Sequence, residues 1–189
     1  MTTLIQRNLD EHLKLFERLS ALSPSVEQAG HLIADALKKG NKLMLCGNGG
    51  SAADSQHIAA ELTGRFVKDR VPLSAIALST DSSALTCISN DYSFDDVFSR
   101  QVQGLGRGGD CILGISTSGN SKNVVKAIEA AAALGIHTIG LLGRDGGTLR
   151  DMCDLSIVVD SASTARVQEA HIFIGHTLCG QIEELLGFA

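Results

Sequence analysis

His57 and Glu61 stand four residues apart in the stretch LCGNGGSAADSQHIAAEL, Leu45 to Leu62, so a helix over these residues turns both toward one point. A pair of this kind can take a metal ion or pass a proton, although by spacing alone it also reads as a surface contact. The same stretch opens on GNGGS, 47–51, a glycine-rich turn that runs into the helix. A second loop, STSGNS at 116–121, follows the apolar run CILGI and precedes KNVVKAIEAAAAL. It sets the hydroxyls of Ser116, Thr117, Ser118 and Ser121 beside a helix start, where free N–H groups and the helix dipole both favour an anion. Either loop alone reads as capping and turn residues. Two of them in one α/β sheet point instead to a small phosphorylated substrate, held at its phosphate by backbone N–H groups and worked on at its other end. A GxxxxGK[ST] lysine loop is missing from the sequence, which argues against nucleoside triphosphate binding.

The elements that must position these residues alternate along the chain. Short apolar runs rich in β-branched residues occur at 42–47, 74–79, 111–116, 137–143 and 155–160, and helical patterns lie at 51–63, 82–89, 95–105, 121–134 and 164–186. Near-continuous apolar strands separated by helices are what a parallel sheet covered on both faces requires. The expected fold is α/β, a three-layer α/β/α sandwich with a five-stranded parallel sheet, formed as a single domain over residues 1–189. Both loops then sit at the carboxyl ends of strands, where open parallel sheets bind ligands. Ahead of the first strand, residues 1–40 carry two amphipathic helical segments, one with Leu4, Ile5, Leu9, Leu13, Phe16 and Leu19 near one face, the next with Val26, Ala29, Ile33, Ala36 and Leu37. They serve either as extra core cover or as an oligomer interface.

Composition narrows the classes. With 189 residues, 44% hydrophobic and 20% charged, the chain has material for one sizeable core. The net charge of −5 is mild and the basic residues are scattered, so neither nucleic acid nor a membrane is an expected partner. The five cysteines show no CxxC spacing and several lie in apolar runs, as buried free thiols of a reducing compartment do. The first residues are charged throughout, without the apolar block of a signal peptide, and a cytoplasmic location is expected.

At the level of motifs, CGNGGS, HIAAELTGRF, SNDYSFDDVFSRQV, GDCILGISTSGNSKNVVKAI and ARVQEAHIFIGHTLCGQIEE resemble, in order and over nearly the whole chain, the bacterial phosphoheptose isomerases of the sugar isomerase (SIS) domain superfamily. The resemblance implies conversion of sedoheptulose 7-phosphate to D-glycero-D-manno-heptose 7-phosphate, toward the heptose of lipopolysaccharide, in a zinc-containing homotetramer. It places substrate contacts on Asn48, Gly49, Gly50, Ser51, Glu61, Asn90, Asp91, Ser116, Thr117, Ser118, Ser121 and Gln168. It places zinc on His57, Glu61, Gln168 and His176, with Glu61 and His176 doubling as the catalytic proton-transfer pair. Ala60 departs from members that carry a second acid there, leaving Glu61 as the carboxylate of that turn. The chemistry suits the residues: an aldose–ketose isomerisation wants a carboxylate base, a second acid–base group and positive charge near an enediolate. The alternatives are a non-catalytic SIS relative, such as a replication-initiator-associating adaptor, and a phosphosugar-sensing module. Retention of Glu61 and His176 argues against the first, and the want of residues for a DNA-binding domain against the second.

One spacing is awkward. Gln168 and His176 are eight residues apart, about 12 Å of rise along a regular helix. Either Gln168 lies at a frayed helix start or the two residues serve one site from different subunits, and the second reading also accounts for the N-terminal helices. His12, His31 and His137 are expected to lack partners, and His171 to face away from His176. The turn GRDGG, 143–147, either simply follows its strand or borders the site.

Overall fold

The computed structural model describes residues 2–188. Five strands, β1 (Leu43–Gly47), β2 (Ala75–Ala77), β3 (Cys111–Ser116), β4 (His137–Gly143) and β5 (Leu155–Val159), form one all-parallel sheet in the order β2-β1-β3-β4-β5. Among the described residues seven α-helices surround it: α1 (Leu4–Leu19), α2 (Ser23–Lys38), α3 (Gly50–Thr63), α4 (Ser82–Asp91), α5 (Ser99–Leu105), α6 (Lys122–Ala133) and α7 (Thr164–Leu185). The expected α/β/α sandwich and its N-terminal helical extension are both present.

The alternation of side chains along each strand divides the core in two. Leu43, Leu45, Cys111, Leu113, Ile115, Ile139, Leu141, Ile157 and Val159 meet α2, α3 and α7, whereas Met44, Cys46, Ile112 and Leu142 meet α5 and α6. Two elements are shorter than their apolar patterns. The edge strand β2 keeps three residues, paired with β1 alone. The helix expected over 95–105 is broken into a 3₁₀ turn, Phe94–Asp96, and α5, with Ser93 donating to the Asp96 carboxylate at 2.5 Å across the turn.

The sheet order reverses between β1 and β3: the chain leaves β1 for β2 on one side and returns to β3 on the other. This switch point is where an open parallel sheet leaves a crevice at the carboxyl ends of its strands. GNGGS follows β1 and STSGNS follows β3, so both loops flank it.

The two N-terminal helices differ in kind. Helix α2 buries Val26, Ala29, Ile33 and Ala36 and is core cover, packed on α7. Helix α1, opened by a Thr3–Gln6 capping box, buries only Leu15 and Leu19 and leaves Leu4, Ile5, Leu9 and Leu13 more than half exposed. His12 on α1 does have partners: its Nδ1 lies 2.8 Å from Glu169 Oε2 and its ring stacks on Phe16. Glu169 is 157 residues away, so spacing near His12 could not disclose it.

His171 lies fully buried on α7, on the sheet side of the helix, as its separation from His176 suggested. Burial pushes its imidazole down to about 4; the Leu142 carbonyl acts in the opposite sense, yet neither ring nitrogen has a partner in hydrogen-bonding geometry. A histidine whose folded pKa is depressed contributes stability above its unfolded pKa, near 6.5, and loses it as the pH falls toward the folded value. Between pH 7 and pH 4.5, urea unfolding of the wild-type chain should therefore show a loss of about 2–3 kcal/mol that His171→Leu does not share. Equal losses in both proteins would assign the titration to another group.

Candidate active site

Helix α3 begins where β1 ends, and glycines make the junction. A side chain on Gly47 would meet the Ser51 Cβ at 2.7 Å, so the helix could not fold back across the strand end. Gly49, the N-cap residue, has φ +56°, a left-handed conformation that favours glycine. Gly50 lies against Gln168 of α7, whose Nε2 stands 2.3 Å from where a Cβ would be.

The second loop is folded by its own hydroxyls. Ser116 Oγ, buried at the end of β3, lies 3.0 Å from Ser121 Oγ and accepts from the Gly119 N–H at 3.1 Å. Gly119 has φ +67°, and a Cβ there would fall 1.9 Å from the Gly146 carbonyl oxygen. The turn at 143–147 thus presses directly on STSGNS and borders the site. Asn120 closes the contact by accepting from the Thr148 N–H and hydroxyl at 2.9 and 2.8 Å.

A reciprocal amide pair joins the two loops across the switch point. Asn48 Nδ2 donates to Asn123 Oδ1 at 2.8 Å, and Asn123 Nδ2 to Asn48 Oδ1 at 2.9 Å. The helices that follow β2 and β5 are closed by side-chain caps, Asp81 on α4 and Ser163 on α7. Those that follow β1 and β3 have no side-chain cap. In α3 the Ser51 and Ala52 N–H groups bond back to the Asn48 and Gly49 carbonyls, at 3.0 and 3.1 Å, and the positive dipole ends of both helices border the crevice between the loops, an arrangement suited to a phosphate.

At the other end of α3, His57 and Glu61 share a face as their spacing predicts, with His57 Nε2 3.1 Å from Glu61 Oε1. Helix α7 brings His176 to them: the two imidazole Nε2 atoms are 2.8 Å apart. Ligand atoms of all three residues lie within 4.8 Å of one another, the nitrogen and oxygen donors a divalent metal ion takes. The close approach of α3 and α7 depends on Gly175, where a Cβ would fall 2.6 Å from Ile58 Cδ1. Phe66, just beyond α3, stacks on the His176 ring with centroids 5.7 Å apart.

All three members of this group come from one chain, so His176 reaches Glu61 without a second subunit. Helix α7 is regular from Thr164, which removes the frayed-start explanation for Gln168: that residue sits in the second turn and faces the Gly50 end of α3. Asn90 and Asp91, at the end of α4, bond to one another at 2.8 Å, and Asp91 also accepts from the Cys87 thiol; none of their hydrogen bonds reaches either loop or the His/Glu group.

Four residues near the site escaped the sequence reading. Asn123 and Asn120 differ from ordinary loop and helix residues only in asparagine's weak helix propensity. Phe66 gave no signal. Asp54, one turn ahead of His57, adds a second carboxyl to α3: one of its oxygens is buried without a partner, and burial raises its pKa against the lowering pull of His57.

Comparison with known proteins identifies the fold and the family. The SIS domain family matches residues 9–143, which include both loops and α3 but stop short of α7. A phosphoheptose isomerase from Nitratiruptor sp. is 57% identical over 181 residues, covering 95% of this chain and 97% of its own. The structure of a phosphoheptose isomerase from Neisseria gonorrhoeae superposes with a TM-score of 0.91 at 46% identity, over 96% of this chain and all of that one. A Francisella tularensis counterpart gives 0.93 at 37% identity, over 97% of this chain and 100% of its own. The relatives cover nearly the whole chain, well beyond the family match, and the chain belongs to the SIS domain family, among its phosphoheptose isomerases.

Proposed function

We propose that the protein interconverts sedoheptulose 7-phosphate and D-glycero-D-manno-heptose 7-phosphate, an aldose–ketose isomerisation that supplies heptose for lipopolysaccharide. The observation that carries this reading is the convergence of Glu61 and His176 on the helix whose uncapped start faces a second phosphate-type loop. Asn48, Gly49, Gly50 and Ser51, with Ser116, Thr117, Ser118 and Ser121, bind the phosphate end. Asn90, Asp91 and Gln168 serve the sugar hydroxyls. Glu61 takes the proton from C1 of the ketose and returns it to C2 of the enediol, while His176 moves the hydroxyl proton from O1 to O2, so no atom is gained or lost. Zinc would be held by His57, Glu61 and His176, the three donors this chain brings together, with Gln168 as the fourth ligand in the assembled site, and would supply positive charge near the developing enediolate.

The assembly is proposed to be a homotetramer. In support, the exposed apolar stripe of α1 adjoins a groove of about 850 Å³ between α1, α2 and α7, lined by Phe16, Leu19, Val26, Phe66 and Phe173 and reaching His176. A second copy covering that groove would finish one wall of the site. A cytoplasmic location accords with the five free cysteines and with the finding that no described helix is long and apolar enough to cross a membrane.

Three outcomes test these assignments. Glu61→Gln keeps the shape of the side chain and removes the base, so kcat should fall by roughly 10²–10⁴-fold while phosphosugar binding, followed by calorimetry, persists. Wild-type turnover in this variant would exclude Glu61 as the base. Ser118→Asp puts a negative charge into the phosphate loop and should raise KM about tenfold or more, with an unchanged Kd for sedoheptulose 7-phosphate counting against the loop. Removal of residues 1–22 should lower the mass seen by light scattering below that of a tetramer; an intact tetramer would make α1 simple core cover.

A further inference from the structure

Arg70 and Glu183 are almost completely buried, with side chains 1% and 2% exposed, and no proposed chemical step uses them. Burying two charges costs several kcal/mol per ion unless nearly every donor and acceptor is matched. Here they are matched to one purpose. Helix α3 ends at Thr63, leaving its last carbonyls without helical partners. Arg70 supplies them: Nη2 donates to the Glu61 carbonyl at 2.8 Å, and Nη1 to those of Leu62 at 2.7 Å and Gly64 at 3.2 Å. Its positive charge also suits the negative end of the helix.

The same guanidinium is anchored to the neighbouring helix, Nε donating to Glu183 Oε1 at 2.8 Å. Glu183 stands on α7 seven residues after His176, two turns along the same face. It also accepts from the N–H groups of Phe66 at 3.1 Å and Val67 at 3.3 Å. Phe66 is the residue whose ring stacks on His176. Two short paths therefore leave this ion pair: one through Arg70 to the backbone of Glu61, the other through Glu183 to α7 and, by way of Phe66, to the His176 imidazole.

We propose that Arg70 and Glu183 are positioning residues which set Glu61 and His176 in register for proton transfer. This rests on the isomerase reading above. The planar fork of arginine is essential to it, since a single ammonium cannot reach the Glu61 and Leu62 carbonyls and Glu183 together. The phosphate loops lie at the opposite end of α3 and are held by their own Asn48–Asn123 pair, so substrate affinity should not follow the ion pair.

The test compares wild type with Arg70→Lys in steady-state kinetics on sedoheptulose 7-phosphate, thermal unfolding, and proton NMR of the His176 ring, assigned by its loss in His176→Gln. In Arg70→Lys below its melting transition, kcat should fall ~10- to 100-fold, as misplacement of reacting groups by an ångström does, with KM changed less than about twofold. The His176 resonances should shift as Phe66 moves. Folded Arg70→Lys with wild-type kcat and an unshifted His176 signal overturns the proposal, as does a fall in activity that only tracks the unfolded fraction. If Arg70→Lys does not fold, Glu183→Gln carries the same readings; failure of both to fold would make the pair structural and overturn it too. A wild-type protein that does not isomerise the sugar would defeat the functional reading alone, because the His176 spectrum still reports whether the pair sets that ring.

Discussion

Everything at the reactive end of the site depends on how closely α3 and α7 lie side by side. Their contacts rise together along both chains, Gly50 with Gln168, Ile58 with Gly175, and Phe66 with Glu183, so the helices run in the same direction. At Gly175 the approach is close enough that a methyl group would strike the buried Ile58 side chain, whereas at Gly50 a methyl would meet only the mobile end of Gln168. A packed interior does not readily absorb the first overlap. Glycine at position 175 lets His57, Glu61 and His176 come within one another's reach, although the first two and the third lie more than a hundred residues apart in the chain.

The phosphate end follows from the sheet. Reversal of strand order between β1 and β3 opens a crevice, and the two helix starts that border it are the ones left without side-chain caps. An uncapped helix start is a liability in an ordinary protein, because its N–H groups want acceptors. Here the positive ends of the two helix dipoles, the hydroxyls of Ser116 and Ser121 and the glycines that bend each loop all suit one type of ligand, an anion. The Asn48–Asn123 pair joins the two loops, and hydrogen bonds from the Leu149 N–H to the Gly119 carbonyl and from Thr148 to Asn120 tie the second loop to the segment after β4.

Charge is distributed unevenly between these two ends. The loops rely on partial charges of the backbone and on neutral side chains, which bind an anion without a buried formal charge of their own. The α3–α7 end instead holds full charges out of water, Arg70 and Glu183 beneath the His/Glu group, and satisfies them with backbone carbonyls and N–H groups. Rigidity where protons would move and dipoles where a phosphate would sit are separate demands, met at opposite ends of one helix.

How much of this was legible beforehand divides along the range of the interactions. Strands and helices were visible because burial on both faces demands continuous apolar runs, and helix faces a 3.6-residue period; the loops were visible because glycine and serine between a strand and a helix have few other uses. The His57–Glu61 pair was visible because i and i+4 share a face. Local order alone cannot say which distant residue completes a group. It left His12 without its Glu169 partner, passed over Asn123, Phe66 and the Arg70–Glu183 pair, and could not decide how Gln168 and His176 on one helix relate to a single site. Tertiary packing answered in part: α7, lying along α3, turns His176 to His57 and Glu61 and Gln168 to Gly50, two turns apart. Sequence by itself determined which local conformations and chemical groups this chain has, since those depend on neighbours a few residues away. Only the tertiary structure decided which groups meet, since that depends on close packing between helices whose contacts no short stretch of sequence contains.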